Sequence, residues 1–337
     1  MVTYTAGNRV VIYVKTIGKR GQPGGGQPVD LARGKGDLIY LLNRGYEYQP
    51  KGKKVIVYTV DEDYVTQFGS GGTGDGQFVW PTSIVLDRDE NVYVADEDLQ
   101  RISIFSKDGE FLSKWGEAGH DAGQLNGPSG MAFDSQENLF IVDSANNRVQ
   151  KFSKDGKYLA KWGQSGSGEG EFNLPWGIDI DKEDNVYIAD WRNNRVQKFS
   201  PDGQYLMTIG TPGKWTPRRP NHQELYAAPD GELNRPAGVA VDKDGDIWIT
   251  DAGNDRVQVF APDGSFLITL RGDATLTELG IQQLDANPEM WEERAIAENF
   301  WMERLFWTPV GIGIDGDNRV FIAETGRGRI QVYQKVS

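Results

Sequence analysis

The sequence predicts an all-β protein that folds as a six-bladed β-propeller of four-stranded antiparallel blades. Three observations predict this fold. A proline-led unit occurs six times, strand-like runs come in sets of four, and in five places an acidic residue is followed five positions later by an arginine. Repeats of about 40 to 50 residues with four short strands each are typical of propeller blades, which surround a central channel.

The leading proline of each unit sets the register of the blades. It recurs at Pro28, Pro81, Pro128, Pro175, Pro236 and Pro309. We predict one domain over residues 1–337, with blades at 28–69, 81–116, 128–163, 175–210, 236–272 and 309–337. Two segments, 211–235 and 273–308, then remain as inserts between blades.

The third unit shows how a blade divides into strands. Runs rich in β-branched and aromatic residues cover 130–134, 138–143, 148–152 and 157–162. Asp155-Gly156 is a hairpin signal between the last two runs, and Asp-Gly pairs occupy the same place in units two, four and five. Each unit is therefore expected to form one antiparallel sheet.

The two ends of the chain predict how the ring closes. The sixth unit ends at Ser337 after its third strand, and the N-terminal run YVKTIG resembles the fourth-strand run YLMTIG of unit four. We expect residues 8–18 to complete the last blade, because an unpaired strand edge favours aggregation.

Composition limits the class of protein. The chain has 337 residues, no cysteine and a net charge of −13, so it can bury a large core without disulfides. An acidic chain is a poor partner for the phosphate backbone, and nucleic-acid binding is not expected. No signal peptide is seen, and no apolar run reaches the roughly 18 residues of a membrane span, which favours a soluble, cytoplasmic protein.

The blades resemble the NHL-repeat family of six-bladed propellers. The stretch PWGIDIDKEDNVYIADWRNNRVQKFSPDGQYLMTIG, from Pro175 to Gly210, follows the family's pattern of proline, glycine, aspartate, asparagine, arginine and phenylalanine. Unit one departs from it, since it lacks the acidic residue and arginine pair. The resemblance implies the fold but leaves function open, because the family includes protein-binding, RNA-binding and enzymatic members.

The chain is also distantly similar to the peptidyl-hydroxyglycine amidating lyase propellers. The zinc histidines of that family follow the unit prolines. Here those positions hold Val29, Thr82, Ser129, Trp176, Ala237 and Val310. The zinc set is therefore absent, and the lyase activity of that family is not carried over.

The irregular sequence is concentrated on one predicted face, formed by the loops between blades and the loops between second and third strands. The insert 273–308 is predicted to be helical, with Asn287 as a cap and Pro288 at the first helical position. It either crosses the channel mouth as a lid or covers exposed strand edges.

Tryptophans are concentrated on the same face. Seven of the ten fall in these loops or at the mouth: Trp80, Trp176, Trp191, Trp215, Trp291, Trp301 and Trp307. Aromatic side chains with a polar edge often line ligand pockets. We predict a site for a small molecule or peptide, with walls and polar groups from Trp80, Trp176, Trp191, Trp307, Arg44, Tyr46, Arg192 and Glu324. The alternative is that some tryptophans, above all Trp215 and Trp291, only anchor the inserts.

The repeated acidic residue and arginine pairs are predicted to be structural. They are Asp96/Arg101, Asp143/Arg148, Asp190/Arg195, Asp251/Arg256 and Glu324/Arg329. A catalytic group is needed once, whereas a brace is needed in every blade. As exposed ion pairs, each would contribute about 0–1 kcal/mol to stability.

Two carboxylates interrupt the small residues of the inner strands. Asp30 and Asp179 lie in units one and four, on opposite sides of a six-bladed ring. They predict water, a shared proton or a divalent cation such as Ca²⁺ in the channel, unless neighbouring backbone amides satisfy them. With His120 or His222 carrying protons, a metal-dependent lyase or hydrolase is the alternative function. A protein-interaction scaffold is the third hypothesis.

Overall fold

Six sheets surround a central channel in this computed structural model, and their inner strands form its wall. The structure describes residues 2–18, 27–45, 52–213, 228–276, 278–287, 289–296 and 303–336. Each sheet is antiparallel and forms one blade, with the first strand of each unit nearest the axis. The prediction of a six-bladed propeller with four-stranded antiparallel blades is confirmed.

The strands of blades 1 to 3 follow the predicted order. In blade 1 they are Pro28–Arg33, Leu38–Asn43, Lys54–Thr59 and Tyr64–Phe68. In blade 2 they are Pro81–Leu86, Val92–Asp96, Arg101–Phe105 and Phe111–Trp115. In blade 3 they are Pro128–Phe133, Asn138–Asp143, Arg148–Ser153 and Tyr158–Trp162.

Blades 4 and 5 have the same layout, with a shorter inner strand in blade 4. Blade 4 contains Ile178–Ile180, Val186–Asp190, Arg195–Phe199 and Tyr205–Ile209. Blade 5 contains Pro236–Val241, Ile247–Asp251, Arg256–Phe260 and Phe266–Leu270. Among the described residues, three short parallel strand pairs lie between blades, namely Ser70–Gly71 with Gln77–Phe78, Gln164–Ser165 with Glu171–Phe172, and Thr211–Pro212 with Glu232–Leu233.

Blade 6 takes strands from both ends of the chain. It contains Pro309–Ile314, Arg319–Glu324, Arg329–Lys335, Arg9–Ile17 and Thr3–Ala6. Arg9–Ile17 pairs antiparallel with Arg329–Lys335, and Thr3–Ala6 pairs on its outer side. This blade thus has five strands where four were expected, because the N-terminal segment folds back on itself as a hairpin.

The hydrophobic core is divided among the six interfaces between neighbouring blades. Each interface holds its own cluster of buried apolar side chains. The cluster between blades 6 and 1 includes Ile17, which is 1% exposed, together with Leu31 and Ile330. The N-terminal strand therefore contributes to the core as well as to the sheet.

Tight turns join the second and third strands on the face that carries the inserts. In blades 3, 4 and 5 they are the 3₁₀ turns Ser144–Asn146, Trp191–Asn193 and Ala252–Asn254. The next residue of each, Asn147, Asn194 or Asp255, has a left-handed backbone. These turns bring the second-to-third-strand loop of each blade against the loop that enters the same blade.

The described part of the longer insert contains the helices Glu278–Asp285 and Glu289–Ile296. Its start is held by the strand Arg9–Ile17 of blade 6, where the Thr275 N–H donates to Tyr13 Oη at 3.0 Å and Thr16 Oγ1 at 3.2 Å. This contact places the start of the insert at the rim of the propeller. Pro288 and residues 297–302 lie outside the described residues. Within the described chain, neither helix is long and apolar enough to cross a membrane.

Candidate functional site

A buried ion pair lies beneath the loop face in four blades. The arginine Nε to carboxylate distances are 2.6 Å for Asp143 and Arg148, 2.9 Å for Asp190 and Arg195, 2.7 Å for Asp251 and Arg256, and 2.6 Å for Glu324 and Arg329. The sequence analysis treated these pairs as exposed, but all four carboxylates are fully buried.

Blade 2 lacks this ion pair. Asp96 instead accepts the backbone N–H groups of Val79 and Trp80, while Arg101 donates to the carbonyl oxygens of Thr73 and Gly74. The two side chains therefore brace the same loop through hydrogen bonds to its backbone, without an ion pair between them.

Blade 5 shows what the ion pair holds together. Asp251 accepts hydrogen bonds from the Asn234 backbone at 2.7 Å, from Asn254 at 2.9 Å and from Gln258 at 3.1 Å. Arg256 donates to three carbonyl oxygens of the loop that enters the blade. Burial raises the pKa of Asp251, and Arg256 and the other donors oppose that effect. The network therefore fixes the loop face from below.

Sequence reasoning found the acid and the arginine but missed the other two members of this network. Asparagine at the third position and glutamine at the seventh position after the acid occur in blades 3, 4 and 5, and blade 6 keeps the glutamine. This spacing was a readable signal for a repeated structural motif.

Glu324 belongs to this network. It is fully buried, pairs with Arg329, and accepts the Trp307 backbone N–H at 2.9 Å. Burial raises the pKa of Glu324, while Arg329 lowers it. The structure thus places Glu324 under the loop that carries Trp307, where its oxygens are already hydrogen-bonded.

The junction of blades 4 and 5 carries side chains that the other blades lack. The guanidinium carbon of Arg235 lies 4.9 Å from the centroid of the Trp191 ring, and that of Arg192 lies 5.7 Å from it. At the position of Trp191 the other blades have Glu97, Ser144, Ala252 and Thr325. At the position of Arg235 they have Trp80, Gly127, Leu174 and Thr308. The repeated network does not need these side chains, since it forms without them elsewhere.

Arg235 occupies a left-handed backbone position that recurs in the repeat. Its φ is 51°, and Leu174 and Thr308 at the same position have φ values of 48° and 53°. The Arg235 N–H donates to Asn194 Oδ1 at 2.8 Å, as the Leu174 and Thr308 N–H groups do to the equivalent side chains of the preceding blades. The backbone conformation therefore belongs to the repeated turn, and only the arginine side chain is particular to this junction.

Two more tryptophans on this face contact an arginine. The Arg44 guanidinium carbon lies 4.5 Å from the Trp80 ring centroid, and that of Arg327 lies 5.6 Å from the Trp307 ring centroid. Burial lowers the pKa of Arg44 to about 10, an effect opposed by Glu97 and Asp96. Of the predicted ligand-binding residues, Tyr46 lies outside the described residues.

Trp176 lies where the inner strand of blade 4 departs from the repeat. That strand begins at Ile178, whereas the other five inner strands begin at their proline. The Trp176 N–H donates to the Ala189 carbonyl at 2.8 Å, and the Trp176 carbonyl accepts from Ser129 Oγ at 2.9 Å. Half-buried Trp176 lines the channel cavity at the end nearest the loop face.

The channel contains a cavity of about 430 Å³ lined by all six inner strands. Small residues are needed in its wall because the strands approach closely. A Cβ added to Gly177 would collide with the Ala237 carbonyl, and one added to Gly238 would collide with the Val310 carbonyl. This close approach explains the preference for small residues that the sequence shows.

Asp30 and Asp179 are half-buried in the wall of this cavity. Asp30 accepts hydrogen bonds from Ser83 Oγ at 2.8 Å and from the Ile84 N–H at 3.0 Å, both in blade 2. Asp179 accepts from the Val241 N–H of blade 5 at 2.7 Å. Desolvation raises the pKa of Asp30 to about 6 and that of Asp179 to about 7, although these hydrogen bonds lower both.

The two carboxylates do not form a complete metal site with other described side chains. No group of three or more His, Cys, Asp or Glu that could hold a metal ion occurs among the residues that the structure describes. Each carboxylate also accepts hydrogen bonds from a neighbouring blade, which leaves fewer lone pairs for a metal ion. A cation here would therefore need water or backbone carbonyls as further ligands.

His120 does not lie at the channel. His120 is exposed in the loop between blades 2 and 3, with Nδ1 2.7 Å from Asn146 Oδ1, and it does not line the cavity. His222 lies outside the described residues.

Comparison with known families agrees with this architecture. A family model described as a 6-bladed beta-propeller matches residues 125–217, and a model of the NHL repeat matches residues 233–260. The chain is a six-bladed β-propeller that contains an NHL repeat. The NHL match falls on blade 5 and includes the Asp251 and Arg256 pair.

Curated relatives match over a single repeat. Protein wech of Drosophila melanogaster is 56% identical over 36 residues, and E3 ubiquitin-protein ligase TRIM71 of Bos taurus is 57% identical over 37 residues. Each match covers 11% of this chain and 4% of the relative. The likeness therefore concerns one NHL-type blade and spans far less than the length of those proteins.

Solved structures resemble the whole propeller. A streptogramin B lyase has a TM-score of 0.58 at 12% identity, with 96% of this chain and 98% of that chain covered. A gluconolactonase from Xanthomonas campestris has a TM-score of 0.58 at 14% identity, covering 98% and 91%. A protein of unknown function from Bacteroides thetaiotaomicron has a TM-score of 0.63 at 19% identity, covering 97% and 76%. At these identities the likeness shows the fold alone.

Proposed function

We propose that this propeller binds a small molecule or a peptide on the face that carries the tryptophan and arginine contacts, centred on the junction of blades 4 and 5. The observation that carries the proposal is the convergence of Trp191, Arg192 and Arg235 at that junction. The fold does not require Trp191 or Arg192, because blades 3 and 5 build the same turn with smaller residues. It does not require an arginine at position 235 either, since blade 3 has Gly127 there.

The chemistry of this face suits ligand binding. An indole ring offers a large, rigid contact surface with little entropy to lose. A guanidinium held against such a ring keeps N–H groups at its edge for a polar group of the ligand. Trp80 with Arg44 and Trp307 with Arg327 extend the same chemistry around the mouth.

The channel provides a cavity next to the proposed binding face. Trp176 stands at the entrance of a cavity of about 430 Å³, which is within the size range of small-molecule pockets. We infer that the ligand contacts the ring of Trp176 and extends toward this cavity. We also infer that the N-terminal strand Arg9–Ile17 closes the ring, and that the helical insert covers part of the rim.

A divalent-metal-dependent lyase or hydrolase is the second candidate. It is favoured by Asp30 and Asp179, two cavity carboxylates with pKa values raised toward neutrality, where a general acid or base is most useful. The lyase and gluconolactonase names among structures of similar fold are compatible with it, and the TRIM71 match is compatible with a protein-interaction scaffold.

A thermal-shift screen tests the proposed function. Purified protein is heated with a library of small molecules and short peptides, and each hit is repeated with Trp176→Ala and Trp191→Ala. We expect hits that raise the melting temperature of the wild type and lose most of that effect in both variants. Trp291→Ala is the matched control, because Trp291 is 38% exposed on the helical insert and its Nε1 donates to Asp285 of the same insert. Shifts that are equal in all four proteins would contradict a site on this face.

A further inference from the structure

The junction of blades 1 and 2 repeats the tryptophan and arginine contact of blades 4 and 5 with the two residue types exchanged. Asn43 faces the unit proline of blade 1, the place that the repeated acid takes in other blades. Arg44, the next residue, therefore stands where blade 4 has Trp191. Trp80 precedes the proline of blade 2, as Arg235 precedes that of blade 5. The two junctions lie opposite each other in a six-bladed ring.

The Arg44 guanidinium lacks polar partners in the described part of the chain. Its central carbon lies 4.5 Å from the centroid of the Trp80 ring, but the half-buried side chain forms no hydrogen bond or ion pair with a described residue. Its Nε is fully buried without an acceptor. Burial of a charged group without such partners costs free energy. The two Nη groups are not buried in this way and remain open to a bound group.

Glu97 places a carboxylate beside the same indole. Its backbone N–H donates to the Trp80 carbonyl at 3.0 Å. The half-buried carboxylate accepts no hydrogen bond from a described residue, and its Oε2 is fully buried. The neighbouring position of blade 3 holds Gly127, where a Cβ would lie 3.9 Å from Glu97 Cγ. This glycine therefore leaves the carboxylate uncovered on the side toward blade 3.

The two charges influence each other without pairing. Burial lowers the pKa of Arg44 to about 10, and Glu97 opposes that effect. Burial raises the pKa of Glu97, and Arg44 opposes it in turn. Buried polar groups normally have partners, so an unpaired cation and an unpaired anion on either side of one indole indicate a missing ligand. A carboxylate would match the planar guanidinium, and an ammonium would match the carboxylate of Glu97.

We propose that the junction of blades 1 and 2 binds a free α-amino acid with an apolar side chain. Its carboxylate binds Arg44, its ammonium binds Glu97, and its side chain packs on the Trp80 indole. This inference goes beyond the proposed function, because it uses none of the side chains at the junction of blades 4 and 5. It favours a free amino acid over a peptide, since only the free amino acid carries both charges on one carbon.

Fluorine NMR of protein labelled with 5-fluorotryptophan tests the proposal at Trp80. The resonance that is missing from Trp80→Phe identifies this residue, and the resonances of the other tryptophans report whether each variant is folded. The probes are L-leucine, N-acetylleucine without the ammonium, leucinamide without the carboxylate, and the dipeptide Gly-Leu. We expect leucine to move the Trp80 resonance in a saturable way. Each blocked form should bind at least about tenfold more weakly, because one charge-assisted contact is lost.

Two variants assign the charges to their residues. Arg44→Gln should weaken leucine by about tenfold and remove its advantage over leucinamide, and Glu97→Gln should remove its advantage over N-acetylleucine. A purely structural role would not exchange the preferences in this way. Lys107→Gln and Glu110→Gln are the matched controls, because they remove the same charges from the exposed hairpin between the third and fourth strands of blade 2. Both should leave the titration of Trp80 unchanged.

The outcomes keep this inference separate from the proposed function. Binding of N-acetylleucine or leucinamide as tight as that of leucine would overturn it, and this comparison needs only the wild type. Tighter binding of Gly-Leu than of leucine would assign the two charges to a peptide and overturn the free amino acid. No movement of Trp80 with any probe up to about 50 mM, far above typical ligand affinities, would also overturn it. The thermal-shift screen with Trp176→Ala and Trp191→Ala would still decide the proposed function.

Discussion

Asp251 and Arg256 form an ion pair of 2.7 Å in which neither side chain is exposed to solvent. The carboxylate also holds the Asn234 backbone, Asn254 and Gln258, so removal of one member leaves several buried polar groups without partners. A buried ion pair costs desolvation energy to form but is expensive to break on one side only. The pair therefore couples the loop face to the stability of the fold.

We expect Asp251→Ala to lower the free energy of unfolding by about 3–5 kcal/mol, because buried Arg256 would lose its closest carboxylate and keep only Asp230 at 3.6 Å as an ion-pair partner. Urea unfolding followed by circular dichroism measures the change. Asp263→Ala is the control, since Asp263 lies in an exposed hairpin turn, and it should change stability by no more than about 0.5 kcal/mol. A loss below about 1 kcal/mol for Asp251→Ala would show that the network is not a stabilising element.

Removal of residues 1–18 should give aggregated or strongly destabilised protein. The deletion exposes the backbone edge of Arg329–Lys335 and removes Ile17 from the core between blades 6 and 1. Size-exclusion chromatography and thermal unfolding measure the effect. Removal of residues 2–7 alone is the matched control, because it takes away only the fifth strand, Thr3–Ala6, and should leave a folded monomer. A well-folded monomer after the longer deletion would contradict closure by the N-terminal strand.

The contribution of Asp30 and Asp179 to stability should fall as pH rises from about 4 to about 7. Desolvation raises the pKa of Asp30 to about 6 and that of Asp179 to about 7. Between those values and the ordinary aspartate pKa, the folded state binds more protons than the unfolded state, so a rise in pH favours unfolding. This contribution is fully present below about pH 4 and is lost above about pH 7.

Asp179→Asn isolates this effect, because the amide oxygen can still accept the hydrogen bond of the Val241 N–H. We expect the variant to gain stability relative to the wild type as pH rises from about 4.5 to about 7.5, measured by urea unfolding at both values. Asp202→Asn, at an exposed turn, should show no such change. A stability difference between wild type and Asp179→Asn that does not depend on pH would contradict a raised pKa.

Divalent cations should bind the channel weakly. Asp30 and Asp179 both accept hydrogen bonds from neighbouring blades, and the described residues provide no third carboxylate or histidine for the same ion. We therefore expect Ca²⁺ to bind no more tightly than about the millimolar range, and EDTA to leave the melting temperature unchanged. Elemental analysis of the purified protein and calorimetric titration measure both. A stoichiometric metal that is lost in the Asp30→Asn, Asp179→Asn double variant would establish the metal site and strengthen the enzyme hypothesis.

The repeat was readable from the sequence because each blade carries its own local signals. The six prolines mark the inner strands, and the spacing of Asp251 and Arg256 marks the turn between the second and third strands. The burial of that pair could not be read, since it depends on Asn234, which approaches from 17 residues upstream. The spacing of residues along the sequence shows which side chains recur in each blade, but it does not show how far each one is buried.

The centre of the candidate site was only partly predictable. Trp191 and Arg192 were both predicted from the sequence as members of the tryptophan-rich binding face. Arg235 was missed, because it lies 44 positions after Trp191 and reaches it only across the boundary between two blades. Its departure from Gly127 and Thr308 at the same position was a signal that comparison of the blades could have found.

Substitution of Trp191 should separate binding from folding. Trp191 is half-buried at the loop face, contacts two arginines, and lies outside the core clusters that the described blades form between them. We therefore expect Trp191→Ala to change the free energy of unfolding by no more than about 1 kcal/mol. Trp162→Ala is the matched control, because Trp162 is also half-buried but packs against Phe140 and Phe199 between blades 3 and 4. It should cost about 3 kcal/mol, the order found when large core side chains are truncated. Urea unfolding of both variants measures the contrast. An equally large loss of stability for Trp191→Ala would show that Trp191 mainly stabilises the fold. The evidence for a binding face would then rest on Trp80, Trp176 and Trp307.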